Sequence, residues 1–380
     1  MHYRQLQYPG ATAELAVFPD GRHEIHAIIR TTLRGASFAE QLMSVTSAAA
    51  ALEAEHGQGR DTVFRRYFLS DATNQAPLLP TDDCAISIVQ QPPLDGTKVA
   101  LWLLLQKDGH GDDLGYGIRR DRHGIVWAGD VRENDCDISV ATPHLLTVQY
   151  LENFSSRLSE LGAGLKENCV RTWFFVRDVD VNYGGVVSGR NEMFNAAGLS
   201  RDTHFIASTG IEGRNPSPSI PVSFNAYADT RLSDRDMTFL KGASHLNPTI
   251  EYGVAFERGT AVDYADRRHV FISGTASIDN RGEIVAPGDI RRQTLRMLEN
   301  IEVLLNEAEC GFADVAHLIV YLRDTADYAT VDEIFRREID DRYGRIPRVM
   351  VLAPVCRPGW LIETECMAIR RIHRPERIPF

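Results

Sequence analysis

An internal repeat is the feature that most constrains the fold of this chain. The segment 151–183, LENFSSRLSELGAGLKENCVRTWFFVRDVDVNY, resembles the segment 298–328, LENIEVLLNEAECGFADVAHLIVYLRDTADY. Each copy predicts an amphipathic helix, a short polar break and an apolar strand that ends in Arg-Asp. Because repeated units bury apolar surface against one another, the repeat predicts modules that pack around a shared core.

The similarity continues on both sides of these segments. Upstream, GIVWAGDV (124–131) corresponds to HVFISGTA (269–276), and downstream SIPVSFNAYA (219–228) corresponds to GWLIETECMA (359–368). All four read as short strands, because branched and aromatic apolar residues recur in them. The repeating unit is therefore predicted to have strands before and after its helix.

A fainter third copy lies near the N-terminus. Residues 49–74 read as helix, break and strand, and residues 84–105 as strand, Pro-rich turn and strand. The alternative is chance similarity, because any chain that alternates helices and strands produces such patterns. Three copies predict a degenerate first module in 1–110, a second in 111–235 and a third in 236–380.

Modules of this kind predict the α+β class, with mixed sheets and helices packed on one face of each sheet. A single module would leave the other sheet face uncovered. Packing of three modules around a common centre would complete its burial. The polar stretches 106–115 and 230–236 are candidate junctions.

Composition limits the classes of function. The chain has 380 residues, 43% of them hydrophobic, and its 41 basic and 52 acidic residues give a net charge of −11. This charge argues against a nucleic-acid or acidic-membrane partner. An anionic substrate would need a local cluster of arginines. No secretion signal or membrane-spanning run is evident, which predicts a soluble, cytoplasmic protein.

The cysteines show no C-x-x-C spacing, which favours reduced thiols over a disulfide framework or a zinc site. They are Cys84, Cys136, Cys169, Cys310, Cys356 and Cys366. His269 has no second histidine at metal-ligand spacing. The sequence therefore predicts neither a metal nor a cofactor.

The last 130 residues or so contain ordered motifs: SGTASI after a strand, GD before the long helix, Gln and Asn within it, and VCRPGWLIETE near the end. Together they resemble the Rid/YjgF (reactive-intermediate deaminase) superfamily. The repeated N-terminal half, with RTWFFVRD and ASTGIEG, resembles the chorismatases within it. The resemblance implies chorismate mutase-like modules in a pseudo-trimer. The chain would be a monomer or form a homotrimer, and it would bind a small substrate.

The resemblance also assigns residues. In Rid-like proteins an arginine anchors the substrate carboxylate and a glutamate fifteen residues later handles protons; here these are Arg348 in IPRV and Glu363. The second module has Ser223 where Glu363 aligns, and no matching arginine. The resemblance therefore predicts a second module without its own acid and a catalytic third module.

Glu363 and Glu365 fall on one face of the predicted strand, with Cα atoms about 7 Å apart. A glutamate that is desolvated in a cleft has a raised pKa and suits a general acid. Glu363 is therefore the predicted proton donor. The alternative is that both side chains project from a half-exposed strand, and no role is predicted for Glu365.

Chorismate, the substrate implied by the resemblance, has an enol-pyruvyl ether that is cleaved once its methylene carbon is protonated. Its two carboxylates require two cationic anchors, for which arginine is suited. Arg348 is one predicted anchor, and Arg171 or Arg214 from the second module is the other. Each of these last two could instead be a surface ion-pairing residue.

Further pocket candidates come from the resemblance and from local chemistry. A small residue at a strand end lets a ring approach the backbone, and hydroxyls donate hydrogen bonds. These candidates are Tyr252, Ser273, Gly274, Thr275 and Ala276. Tyr252 could instead be a core aromatic residue.

Two more residues have contrasting interpretations. The resemblance places Cys356 in the pocket as a shaping or proton-transferring group, although a lone cysteine is usually inert packing. Arg190, in VSGRNEMF (187–194), favours an ion-pairing helix face.

The predicted function is that of a chorismatase, which releases pyruvate and leaves 3-hydroxybenzoate, 4-hydroxybenzoate or a dihydroxycyclohexadienoate. One alternative is a Rid-type enamine or imine deaminase that uses the same Arg348 and Glu363. The other is a non-catalytic protein that binds a small molecule.

Overall fold

The structure, a computed structural model, describes residues 1–19, 23–56, 59–131 and 141–380. These residues form three mixed sheets of six strands each, one for each copy of the repeat. In the part of the chain so described, no helix has the length and apolarity needed to cross a membrane. Cys136 lies outside the described residues, and the five other cysteines are free thiols.

The first module contains β1 (His2–Tyr8), β2 (Ala11–Phe18), β3 (Glu24–Thr31), α1 (Phe38–His56), β4 (Arg60–Leu69), α2 (Ala72–Gln75), β5 (Ala85–Gln90) and β6 (Val99–Lys107). The second contains β7 (Gly111–Asp113), β8 (Ile118–Asp121), β9 (Ile125–Ala128), α3 (Pro143–Glu160), α4 (Leu165–Asn168), β10 (Cys169–Val176), α5 (Val179–Ala196), β11 (Ala207–Glu212) and β12 (Val222–Asp229). The third contains β13 (Met237–Leu240), β14 (Gly259–Asp263), β15 (Arg267–Ala276), α6 (Ile290–Glu307), β16 (Val315–Leu322), α7 (Tyr328–Phe335), α8 (Asp341–Tyr343), β17 (Arg348–Leu352) and β18 (Ile362–Arg371).

The three sheets share one strand order. The first reads β1-β2-β3-β6-β4-β5, the second β7-β8-β9-β12-β10-β11 and the third β13-β14-β15-β18-β16-β17. Among the strand pairs described, each sheet has one parallel pair: β4 with β5, β10 with β11, and β16 with β17. The first strand of each pair follows the long helix of its module. The predicted fold class is confirmed.

Strand register aligns the three modules residue by residue. Glu363 pairs with Tyr321, Ser223 with Phe175, and Ala100 occupies the same place in the first sheet. Of these three equivalent positions, only that in the third module carries an acid.

The helices pack on the outer faces of the sheets and the inner faces meet at the centre. Leu42, Val45 and Leu52 of α1, for example, are buried against the first sheet. On the inner side, the rings of Trp102 and Trp127 lie 6.3 Å apart. Aromatic residues from several modules thus form one central core, as a pseudo-trimer requires.

Short bridges join neighbouring sheets near the ends of their outer parallel strands. Gln90 pairs with Arg214, Pro93 with Val351, and Ile211 with Val355. Each bridge joins two different modules, so the three junctions are closed by backbone pairing as well as by the aromatic core.

Candidate active site

A cavity of about 470 Å³, counting its open mouth, lies at the junction of the second and third modules. The lining residues are Tyr183, Arg190, Ser208, Thr209, Gly210, Val254, Phe256, Arg258, Gly274, Ala276, Ile278, Cys356, Arg357, Trp360 and Glu363.

Glu363 enters this cavity from the start of β18, where it pairs with Ala276 of β15. Its side chain lies against Gly274, and a Cβ atom at that position would come within 2.0 Å of the Glu363 Oε1 atom. Glycine is therefore required there by the close approach of the carboxyl group.

The environment of Glu363 keeps its proton bound. The residue is only 4% exposed, and burial together with the charge of Glu365 raises its pKa to about 8. The positive charges of Arg171 and Arg258 offset this only in part. At neutral pH the Glu363 carboxyl group is thus protonated and able to donate a proton.

Glu365 is 3% exposed and fully engaged in contacts between modules. It accepts hydrogen bonds from Arg171 Nη2 at 2.8 Å and from Trp173 Nε1 at 2.7 Å. Arg66 Nη1, from the first module, lies 3.8 Å from its Oε1 atom. Neither Glu363 nor Glu365 projects from a half-exposed strand, because β18 is a central strand of its sheet.

Arg190 reaches the cavity from α5 and is 1% exposed. Its Nη1 atom donates to Ser208 Oγ at 3.4 Å, whereas its Nε and Nη2 atoms have no hydrogen-bond partner among the described residues. The guanidinium lies near the rings of Phe174 and Phe256. The interpretation of Arg190 as an ion-pairing surface residue was wrong, since its face of α5 is turned toward the junction.

Two further arginines line the cavity. Arg258 donates from Nη2 to the Asn247 carbonyl at 2.9 Å, and Arg357 lies over the Trp360 ring at 5.5 Å from its centroid. With Arg190 they make the cavity rich in hydrogen-bond donors and positive charge. An anionic molecule with oxygen acceptors matches such a lining.

Cys356 also lines the cavity, in the loop between β17 and β18. Burial and the neighbouring Glu363 carboxyl raise the pKa of its thiol to about 12. It is therefore a neutral thiol at physiological pH and a weak nucleophile in this state.

The structure brings four of the predicted site residues into one cavity: Gly274, Ala276, Cys356 and Glu363. Arg348 is not among the lining residues. It forms a bidentate pair with Asp340 at 2.5 and 2.8 Å, and its backbone N–H donates to Glu14 Oε2 at 3.2 Å. Arg348 therefore belongs to the junction with the first module.

The separation of Arg348 from Glu363 follows from sheet topology. Arg348 begins the edge strand β17, and Glu363 lies on the central strand β18. The register of β10 with β11 places Ser208 at the position equivalent to Arg348, and Ser208 is the residue at the cavity junction. Arg348 and Glu363, although both belong to the third module, thus lie at two different junctions.

The other predicted anchors and donors also lie elsewhere. Arg171 is buried against Glu365, and Arg214 is half exposed and paired with Asp178 at 2.9 Å. Ser273 and Thr275 donate their hydroxyl protons to backbone carbonyls. Tyr252 ends a short 3-10 turn, and its side chain is outside what the structure describes.

Sequence reasoning missed most of the wall that the second module provides, above all Arg190, Ser208, Thr209 and Gly210. A weak signal was present, because ASTG at 207–210 and SGTA at 273–276 are similar runs of small and hydroxyl residues. They lie side by side in the fold, where the Ser208 N–H donates to Ser273 Oγ at 2.9 Å. Among the described residues, no group of three or more His, Cys, Asp or Glu side chains could hold a metal ion.

Comparisons with known proteins agree with this architecture. The sequence model described as Endoribonuclease L-PSP matches residues 259–370. A RutC family protein of Pyrococcus abyssi is 36% identical over 104 residues, which cover 27% of this chain and 78% of that protein. The 3-aminoacrylate deaminase RutC of Acinetobacter baylyi is 30% identical over 99 residues, covering 26% of this chain and 77% of that protein.

A crystal structure of a chorismatase superposes over more of the molecule. It is 19% identical in sequence, with a TM-score of 0.63, and the match covers 81% of this chain and 92% of that one. This likeness concerns the fold alone, and it extends over more of the chain than the matches to the RutC relatives do. The chain therefore belongs to the RutC family, within the Rid/YjgF superfamily that its C-terminal motifs predicted, and it has the three-sheet fold of a chorismatase.

Proposed function

We propose that the protein is a chorismatase-like enzyme that cleaves the enol-pyruvyl ether of chorismate. The observation that carries the proposal is that one cavity contains both a protonated acid and a buried cation. Glu363 retains a proton at neutral pH, and Arg190 presents a buried guanidinium with two unpartnered nitrogen atoms among the described residues. A substrate that is anionic and is activated by protonation satisfies both.

In the proposed reaction Glu363 donates its proton to the terminal methylene carbon of the enol ether. The adjacent carbon becomes an oxocarbenium-like centre, and cleavage of the ether releases pyruvate. Formation of a dihydroxycyclohexadienoate consumes one water, which adds to this centre to give a hemiketal that collapses to pyruvate and the ring alcohol, while the proton released by the water returns to Glu363. Formation of a hydroxybenzoate consumes no net water. Burial of Glu363 supports this role, because a general acid needs a pKa near the working pH.

The substrate carboxylates require cationic partners, and the cavity supplies these from two modules. We assign one carboxylate to Arg190, whose two unpartnered nitrogens suit a forked interaction. Arg258 and Arg357 are the candidates for the other. Every lining residue belongs to the second or the third module of one chain, so the proposal requires no second subunit.

Cys356 and Ala276 are proposed to shape the part of the cavity that holds the ring. The neutral state of the Cys356 thiol supports a role in packing or proton transfer. The identity of the product then depends on how closely these side chains confine the ring and any water beside it.

The direct test is incubation with chorismate, with pyruvate measured by coupled lactate dehydrogenase and the aromatic product identified by mass spectrometry. We expect turnover by the wild-type protein and loss of at least about 100-fold in kcat for Glu363→Gln, since general acids contribute on the order of 10²–10⁴. Circular dichroism would establish that both proteins are folded. A folded wild-type protein without pyruvate release would contradict the proposal.

The RutC relatives support a second candidate, an enamine or imine deaminase. It would use the same Glu363 and release ammonia from 2-aminoacrylate, which glutamate dehydrogenase detects. Ammonia release without turnover of chorismate would favour this candidate. Retention of full function by Glu363→Gln would favour the third, a binding protein without catalysis.

A further inference from the structure

Thr209 occupies a special place in the cavity wall. It lies on β11, is buried, and faces the cavity beside Gly274, the residue against which Glu363 packs. The Gly274 N–H donates to Thr209 Oγ1 at 2.9 Å. The Thr209 hydroxyl and the Glu363 carboxyl thus flank the same glycine.

The Thr209 hydroxyl accepts two hydrogen bonds, and these determine what its own proton can do. Thr209 Oγ1 accepts from the Gly274 N–H and also from Arg171 Nη2. A hydroxyl oxygen has two acceptor sites and one proton, and neither of these two partners can accept a proton. Nothing within the described ranges accepts the Thr209 proton, and Thr209 lines the cavity, so the O–H group is available to donate to a molecule bound there.

Glu365 stabilises this arrangement through Arg171, which contacts both Glu365 and Thr209. The same Arg171 Nη2 atom that donates to Thr209 also donates to Glu365 Oε2 at 2.8 Å. Arg171 lies over the ring of Trp173, which itself donates to Glu365. The guanidinium is therefore fixed on two sides, and with it the direction of the Thr209 hydroxyl.

We propose that Thr209 is a hydrogen-bond donor to an oxygen atom of the enol-pyruvyl group, and that Glu365 and Arg171 are the positioning residues that orient it. The inference rests on the proposed function for the identity of the substrate. Its position beside Glu363 places the Thr209 hydroxyl near the atoms that receive the proton. A donor at this point selects an oxygen acceptor and rejects an ammonium group.

The test compares Thr209→Val, which keeps the shape and removes the hydroxyl, with Thr209→Ser, which retains it. Thr364→Val is the matched control, because Thr364 is a buried strand residue whose hydroxyl has no described partner. Two quantities are measured: kcat/KM for chorismate, and the dissociation constant of a stable enol-pyruvyl aryl ether, 3-(1-carboxyvinyloxy)benzoate, at about pH 6, where Glu363 is protonated.

We expect Thr209→Val to weaken probe binding and kcat/KM by about 10- to 100-fold, the effect of losing a hydrogen bond to a charged group. Thr209→Ser and Thr364→Val should remain within about threefold of the wild type. Equal losses in the Val and Ser variants, or no loss in either, would overturn the role of Thr209.

A double-mutant cycle tests the positioning role. Since Glu365 acts on the probe through Thr209, Glu365→Gln should weaken probe binding in the wild-type background and add less than about twofold in the Thr209→Val background. Additive losses would overturn that part of the proposal. If Glu365→Gln does not fold, Arg171→Lys takes its place, because lysine lacks the fork that joins Glu365 to Thr209.

The two proposals fail in different ways. If the wild-type protein binds the probe but leaves chorismate unchanged, the proposed function is wrong, and the binding series still decides the role of Thr209. If the wild-type protein neither binds the probe nor turns over chorismate, the substrate class is wrong and both proposals are overturned. If it turns over chorismate without binding the probe, the kcat/KM series decides the role of Thr209.

Discussion

At the scale of single residues, the candidate site depends on one carboxyl group that stays neutral. Glu363 is buried beside Glu365, and Glu365 is the member of the pair that holds the arginine contacts. The two acids are two residues apart on one strand, yet they contact different groups and therefore have different roles. One retains a proton for the cavity, and the other is an ion-paired carboxylate at the centre of the molecule.

This division predicts a pH dependence. Because a general acid works only when protonated, kcat/KM should fall as the pH rises through about 8, the pKa of Glu363. In Glu365→Gln the like charge is removed and Arg171 loses its counter-ion, and both changes lower the pKa of Glu363. The alkaline limb of a pH–rate profile should therefore move to lower pH in this variant, and an unmoved limb would contradict the assignment.

At the scale of elements, the cavity is built from a strand of one module and a helix and strand of another. β18 carries Glu363, α5 carries Arg190, and β11 carries Thr209. Helix α5 packs closely on α3 at Gly189, where a Cβ atom would come within 2.7 Å of a carbonyl oxygen of α3. The next residue, Arg190, extends from α5 into the cavity.

The position of Arg190 predicts that its replacement by lysine impairs substrate binding. Lysine keeps the charge but cannot present two N–H groups in a fixed fork, so KM should rise by about 10-fold or more. The matched control is Arg214→Lys, since Arg214 is half exposed and paired with Asp178. We expect that variant to remain within about twofold of the wild type, as surface pairs contribute little. Equal effects of the two substitutions would contradict the role of Arg190.

At the scale of the whole molecule, three modules share one core, and the junction between the second and third combines the Glu363 carboxyl group with the donor-rich cavity lining. The junction between the third and first modules holds Arg348 instead, with Asp340 and the Glu14 carboxylate of the first module. There, the position equivalent to Glu363 is Ala100. Arg348 is thus part of the assembly of the modules.

Arg348→Met should accordingly affect stability more than catalysis. It leaves Asp340 without its bidentate partner at a half-buried site, so we expect a loss on the order of 2–4 kcal/mol in the free energy of unfolding. Urea titration measures this loss, and kcat/KM measured well below the transition should stay within about threefold. A stable but inactive variant would contradict this assignment and would indicate that Arg348 binds the substrate.

Glu363 also has a cost for the stability of the whole chain. Its carboxyl group ionises near 4.5 when unfolded and near 8 when folded, so between these pH values the unfolded state releases a proton that the folded state retains. The contribution to stability is complete below about pH 4.5 and is lost as the pH rises toward 8. Glu363→Gln does not titrate and should gain stability relative to the wild type, on the order of 2–4 kcal/mol, between about pH 5 and pH 8. Urea unfolding of both proteins at the two pH values checks this, and a pH-independent difference would contradict the assigned pKa.

Much of the fold could be predicted because repeats and strand periodicity are local. The similar segments around 151–183 and 298–328 predicted the helices α3 and α6 and the strands β10 and β16. Glu363, Cys356, Gly274 and Ala276 were predicted from motifs of a single module, and that module does supply them to one cavity. Arg190 and Thr209 were not predicted, because they belong to another module and lie 173 and 154 residues before Glu363 in sequence.

By itself the sequence determined the repeated modules and the acid that the third carries where the second has Ser223, because these depend on patterns within about 130 residues. Only the tertiary structure decided which arginine meets that acid. An edge strand and a central strand of one sheet face different neighbours, so Arg348 and Glu363 are separated although their spacing matches the family pattern. The same packing gave Glu365 its role, since its partners Arg66, Arg171 and Trp173 come from the two other modules.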